Sequence, residues 1–108
     1  MTLQSSVADK DLGYAQFTAG QIDASTLVST ATFGSAGAAG IPAGTEAIIM
    51  TPTAQAIRWR ADGVAPTAAV GYPLAVGAEV RIDVAQLPQL RVIGQVANAV
   101  LNLRAVGR

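Results

Sequence analysis

The stretch "QAIRWRADGVAPTAAVGYPLAVGAEVRIDV" (55–84) holds two alternating segments around an interval rich in proline and glycine. In "QAIRWR" (55–60), Ile57 and Trp59 fall on one face of an extended chain and Arg58 and Arg60 on the other, because successive side chains of a strand point to opposite sides. In "AEVRIDV" (78–84), Val80, Ile82 and Val84 share a face opposite Arg81 and Asp83. Between them, Asp62-Gly63 is turn chemistry: glycine accepts a positive φ, and aspartate hydrogen-bonds nearby backbone. Pro66 and Pro73 lack the backbone N–H that a central strand donates, so the chain between them is predicted to be an edge strand or a surface loop.

The same reading extends in both directions. "TEAIIMT" (45–51) is apolar on both faces, as a central strand requires, and "QLRVIGQ" (89–95) is another short strand. "AVLNLRAV" (99–106) sets Leu101 and Leu103 opposite Asn102 and Arg104. Residues 95–106 contain enough helix formers for a helix to compete, but the "LNL" alternation fits the strand period better. Strands punctuated by turns about every ten residues predict an all-β fold, a small antiparallel β-sandwich or barrel.

Upstream, "STLVSTATF" (25–33) is rich in β-branched residues and is predicted to be a strand. "GSAGAAGIPAG" (34–44) follows, with four glycines and one proline among small residues that present little surface for packing. The expected organisation is an extended N-terminal arm and linker over residues 1–40, with one strand, and a sandwich body over 41–108.

A chain of 108 residues is the size of one domain. Half of it is hydrophobic, yet only 5% is aromatic and 13% charged, so the core is built from many small side chains. The net charge is zero, which favours association over repulsion between copies. Before residue 55, Lys10 stands against Asp9, Asp11, Asp23 and Glu46. Beyond it, Arg58, Arg60, Arg81, Arg91, Arg104 and Arg108 stand against Asp62, Glu79 and Asp83, giving halves of −3 and +3. Either the acidic segment lies over the basic one in the same subunit, or it reaches another copy. In the second case Asp9, Asp11, Tyr14 and Phe17 are the candidate arm contacts.

The absence of cysteine and histidine removes disulfides, thiolate or imidazole metal ligands, and the nucleophile-histidine arrangements of hydrolases. Glu79 and Asp83 lie about 13 Å apart along a strand at ~3.3 Å per residue, too far for one ion. Neither an enzyme activity, a metal nor a cofactor is expected. Zero net charge argues against nucleic acid as the main partner, despite Trp59 between two arginines. No apolar run reaches the ~20 residues of a membrane span, and "MTLQSSVADKDL" (1–12) lacks the basic start and apolar middle of a secretory signal, so synthesis in the cytoplasm without a membrane partner is expected. Trp59 is expected to anchor the core. Arg58, Arg60, Asp62 and Tyr72 are the candidate partner-binding residues, displayed by a rigid loop.

The order of unusual residues also carries a resemblance. Ile41 to Gly44, then Arg58, Trp59, Arg60, Asp62, Gly63, Pro66, Thr67, Val70, Gly71, Pro73 and Leu74, and finally Leu101 and Asn102, resemble the signature of a family of small structural proteins encoded among the virion genes of tailed bacteriophages. "LGYAQF" (12–17) is similar to that family's opening. Three features depart from the pattern: Ala61 stands where an acidic residue is common, "RAVGR" replaces an aromatic end, and residues 18–40 extend the usual N-terminus. The resemblance implies a virion component, a decoration or cement protein at the capsid surface. Its partners would be the major capsid protein and further copies of itself in a trimer. A head-fibre base, a tail or collar component, and a module binding host glycans are the alternatives.

Overall fold

A computed structural model describes residues 10–18, 20–33 and 40–107. Among these, eight strands form two four-stranded antiparallel sheets: β1 (Lys10–Phe17), β2 (Thr26–Leu27), β3 (Thr45–Ala54), β4 (Ile57–Arg60), β5 (Tyr72–Leu74), β6 (Val80–Asp83), β7 (Arg91–Gly94) and β8 (Val100–Gly107). The first sheet has the order β1-β8-β3-β6 and the second β2-β7-β4-β5. The expected all-β sandwich is the observed fold. Only β4 and β5 are successive strands of one sheet; every other connection passes from one layer to the other.

The register explains why each strand faces as it does. In the first sheet Ile48 lies opposite Ala105, Met50 opposite Leu103 and Pro52 opposite Leu101, all buried, while Ile49 and Thr51 lie opposite Arg104 and Asn102 on the outer face. Ile82 and Val80 of β6 continue the inner row opposite Ile48 and Met50. Leu101 and Leu103 thus face inward and Asn102 and Arg104 outward, as the alternation predicts, and residues 100–107 form a strand and not a helix. Against this row the second sheet sets Ile57, Leu74 and Val92. Because most strand partners are far apart in sequence, formation of the core must wait for long loops to close, which slows folding.

The described part of residues 1–40 is no arm: β1 runs along β8, with Ala15 opposite Leu103 and Phe17 opposite Leu101. Phe17, Ile22, Val28, Ala31 and Phe33 all belong to the common core. The physical reason is the scarcity of large apolar groups. Apart from Ile, Leu, Val and Met the rest of the core has only alanine to draw on, and both phenylalanines of the chain, Phe17 and Phe33, lie upstream of residue 40. The strand predicted over 25–33 is correspondingly short. After Leu27 the chain turns through a 3-10 helix at Val28–Thr30, where the Val28 N–H donates to the Leu90 carbonyl at 2.9 Å. β6 also ends early: Val84 begins a second 3-10 helix, Val84–Gln89, and is exposed instead of facing inward with Ile82. The proline-flanked interval behaves as expected, with Pro73 in the edge strand β5 and Pro66 in the preceding loop.

A candidate ligand-binding cleft at the end of the second sheet

The cleft begins with the register of β4 and β5. Ile57 lies opposite Leu74, and both are buried. Two residues along, the same face carries Trp59 opposite Tyr72, but here the core stops. Trp59 is half-buried and packs against the core, whereas Tyr72 is 65% exposed. The two rings touch with centroids 5.0 Å apart and planes tilted by 39°. The core anchor expected at Trp59 is therefore only half of its role, since its other side belongs to the surface.

The loop 61–71 is shaped by its own side chains. The Asp62 carboxylate accepts the Val64 N–H at 3.2 Å, and the Thr67 hydroxyl oxygen accepts the N–H groups of Ala69 and Val70 at 3.2 and 2.9 Å. Gly71 has a φ of +137°, and a Cβ there would lie 3.1 to 3.2 Å from Pro66, Arg58 and the Trp59 carbonyl, so glycine lets the loop press onto β4. Arg58 holds it there, donating to the carbonyls of Ala68 at 3.2 Å and Gly71 at 2.9 Å. Its guanidinium clamps the loop. We expect Arg58→Ala to destabilise the protein by about 2 kcal/mol, because two charge-assisted bonds are lost. Amide exchange should accelerate in residues 61–71, and Arg58→Lys should recover little, lacking the planar fork. An unchanged urea midpoint would refute the clamp.

Arg60 and Asp62 form a forked pair: Arg60 Nε donates to Asp62 Oδ1 at 3.1 Å, and Nη2 donates to Oδ2. This bond holds the Asp62 carboxyl below the ordinary carboxylate range, against a weaker opposing effect of desolvation, and raises the Arg60 guanidinium. Asp62 has the depressed value in the folded state, so its stabilising contribution is present above the unfolded carboxylate's value and is lost as pH falls through the folded one. Carbon-detected NMR titration should place the Asp62 carboxyl below that of an unstructured peptide, and Arg60→Ala should return it upward.

Trp59, Arg60, Asp62, Val70, Tyr72 and Gln86 line a cleft of 610 Å³. Of the candidate partner-binding residues, Arg60, Asp62 and Tyr72 converge here while Arg58 supports the wall. Gln86 is the contribution that sequence reasoning misses. It comes from the 3-10 helix Val84–Gln89, which follows β6 in the first sheet, and nothing in its local sequence links it to Trp59.

The candidate arm contacts separate. Phe17 is in the core and unavailable to a partner, and Asp9 lies outside the described residues. Asp11 accepts from Arg104 Nε at 3.3 Å, which places one acidic N-terminal residue over the basic C-terminal strand of the same chain. Tyr14 is exposed on the outer face of the first sheet. There its hydroxyl and the Gln16 amide both donate to Asn102 Oδ1 at 2.8 Å. Among the described residues no group of three or more carboxylates gathers where a metal ion could sit, and no helix is long and apolar enough to cross a membrane.

No family model, curated protein or solved structure matches this chain. The functional reading rests on its own residues.

Proposed function

We propose that the protein is a structural component of a tailed-phage virion, a decoration or cement protein that binds the assembled head and stabilises it. The observation that carries this reading is the ordered set from Arg58 to Leu74, which resembles the signature of such proteins. Support also comes from the outer face of the first sheet. Exposed Tyr14 and half-buried Ile49 lie there among Gln16, Thr51 and Asn102, flanked by Glu79 and Arg104, a mixed aromatic, polar and charged surface that suits a protein interface. The mechanism is mass action: many copies that bind only the closed lattice shift its equilibrium away from opening. Lattice symmetry favours a trimer at threefold positions.

The test is to add the purified protein to heads assembled without it. We expect saturable binding at on the order of hundreds of copies per head, with greater heat resistance, and loss of both in Tyr14→Glu at unchanged fold. About six or twelve copies would instead move the protein to the portal and tail axis. Absence of binding would overturn the reading.

A further inference from the structure

We propose that the cleft between Trp59 and Gln86 binds a neutral carbohydrate, with the Trp59–Tyr72 pair as the stacking platform and Arg60, Asp62 and Gln86 as partners for hydroxyl groups. A sugar ring presents an apolar C–H face and a rim of hydroxyls that both donate and accept. It is matched by an aromatic surface beside planar polar groups. The cleft supplies both: two contacting rings, of which Tyr72 is mostly in water, and beside them Arg60 with donors, Asp62 with acceptors and the exposed Gln86 amide with one of each kind.

Charge decides against the other ligand classes. The Arg60 guanidinium is already paired in a fork with Asp62, so a phosphate would have to displace a carboxylate held in the same chain. A cationic ligand would find that carboxylate compensated by Arg60 for the same reason. What remains is a neutral array of donors and acceptors. Ring geometry decides between neutral ligands. Centroids 5.0 Å apart leave no furrow between the rings for a proline side chain, and a tilt of 39° forms a bent surface instead of a parallel slot for a planar base. A bent surface suits the puckered face of a saturated ring.

Size and rigidity agree. The cleft volume of 610 Å³ lies within the ~300–1,000 Å³ of small-molecule sites, room for one or two sugar units. The wall carrying Val70 and Tyr72 is held in place by the Arg58 clamp and the close approach of Gly71, so little ordering remains to be done on binding. The cleft lies on the second sheet, while the face assigned to the shell belongs to the first, so one molecule can use both.

Trp59 is the single tryptophan, and its emission therefore reports this site alone. The full-length protein is titrated to about 10 mM with a panel of uncharged oligosaccharides (gluco-, manno-, xylo-, galacto- and N-acetylglucosamine oligomers) and, separately, with inorganic phosphate, tetramethylammonium and deca-proline. The expected result is a saturable emission change with at least one oligosaccharide, insensitive to salt. Affinity should fall about tenfold in Tyr72→Ala, a loss of the size an aromatic contact supplies. Tyr72 is exposed, so that variant should keep the parent's circular dichroism and stay folded throughout the titration, although it loses the ring contact with Trp59. The proposal is overturned if no oligosaccharide saturates the signal, if Tyr72→Ala binds as tightly as the parent, or if only phosphate, tetramethylammonium or deca-proline responds. Sugar binding without head binding would sink the decoration reading alone, and the reverse outcome would sink this one alone.

Discussion

Replacing Phe33 by alanine should destabilise the folded protein by about 3–5 kcal/mol, the usual cost of truncating a fully buried phenylalanine. Phe33 is completely buried in the common core although it precedes the glycine-rich segment 34–44. The close-packed core relaxes only in part around a lost ring, so the cavity left behind adds to the lost transfer free energy. For a domain whose total stability is about 5–15 kcal/mol, such a loss removes a large part of the folded population's margin. With a urea slope of about 1.5 kcal/mol/M, the denaturation midpoint should fall by about 2–3 M. The comparison is informative because an arm-and-linker organisation expects the opposite. A phenylalanine in a tethered arm could be removed with no effect on the body, and an unchanged midpoint would restore that organisation.

Gly94→Ala should cost about 2–3 kcal/mol for a different reason, overpacking. Gly94 ends β7, where its N–H donates to the Ile22 carbonyl at 2.9 Å. A Cβ at this position would lie 2.7 Å from Ala99 Cβ and 2.9 Å from the Val96 carbonyl oxygen, closer than non-bonded atoms approach. Ala99 is fully buried and the carbonyl is backbone, so the turn joining β7 to β8 must move as a unit. The thermal midpoint should fall by about 10 °C or more for a domain of this size. Ala99→Gly in the same chain should recover part of the loss, because it removes one of the two clashing atoms, and a double-mutant cycle measures that coupling. Strict additivity of the two substitutions would show that the close approach is not the cause.

The strands that could be read from sequence are those with clean alternation and large apolar residues. β4 and β6 carry Ile, Val or Trp at every second position, β8 sets Leu101 and Leu103 opposite Asn102 and Arg104, and β3 and β7 hold short apolar runs; each forms within about three residues of its expected place. β1 is not legible in the sequence because its inward residues include Ala15, and because the register shift between Asp11 and Gly13 breaks the period of two. The 25–33 segment departs from its local preference: its β-branched residues favour extended backbone, but the Val28 N–H donates to the Leu90 carbonyl, in the segment preceding β7. At the cleft, Arg60, Asp62 and Tyr72 were recognisable as polar and aromatic groups on a proline-flanked loop. Gln86 was not, since its relation to Trp59 exists only after two distant parts of the chain pack together.

Local chemistry in this sequence determined the type of structure. Period-two alternation, turn residues at short intervals and prolines at defined places exclude a helical protein and confine residues 61–73 to an edge and a loop. The lack of histidine and cysteine removes whole classes of chemistry in the same way. Tertiary structure decided which of these local elements share a core, and where that core ends. The apolar face of β4 continues past Ile57 to Trp59, yet only the pairing of Ile57 with Leu74 and of Trp59 with Tyr72 at the rim of the sandwich makes the first pair interior and the second a surface. Burial is a property of the assembled layers, and side-chain alternation specifies a face without specifying what will cover it.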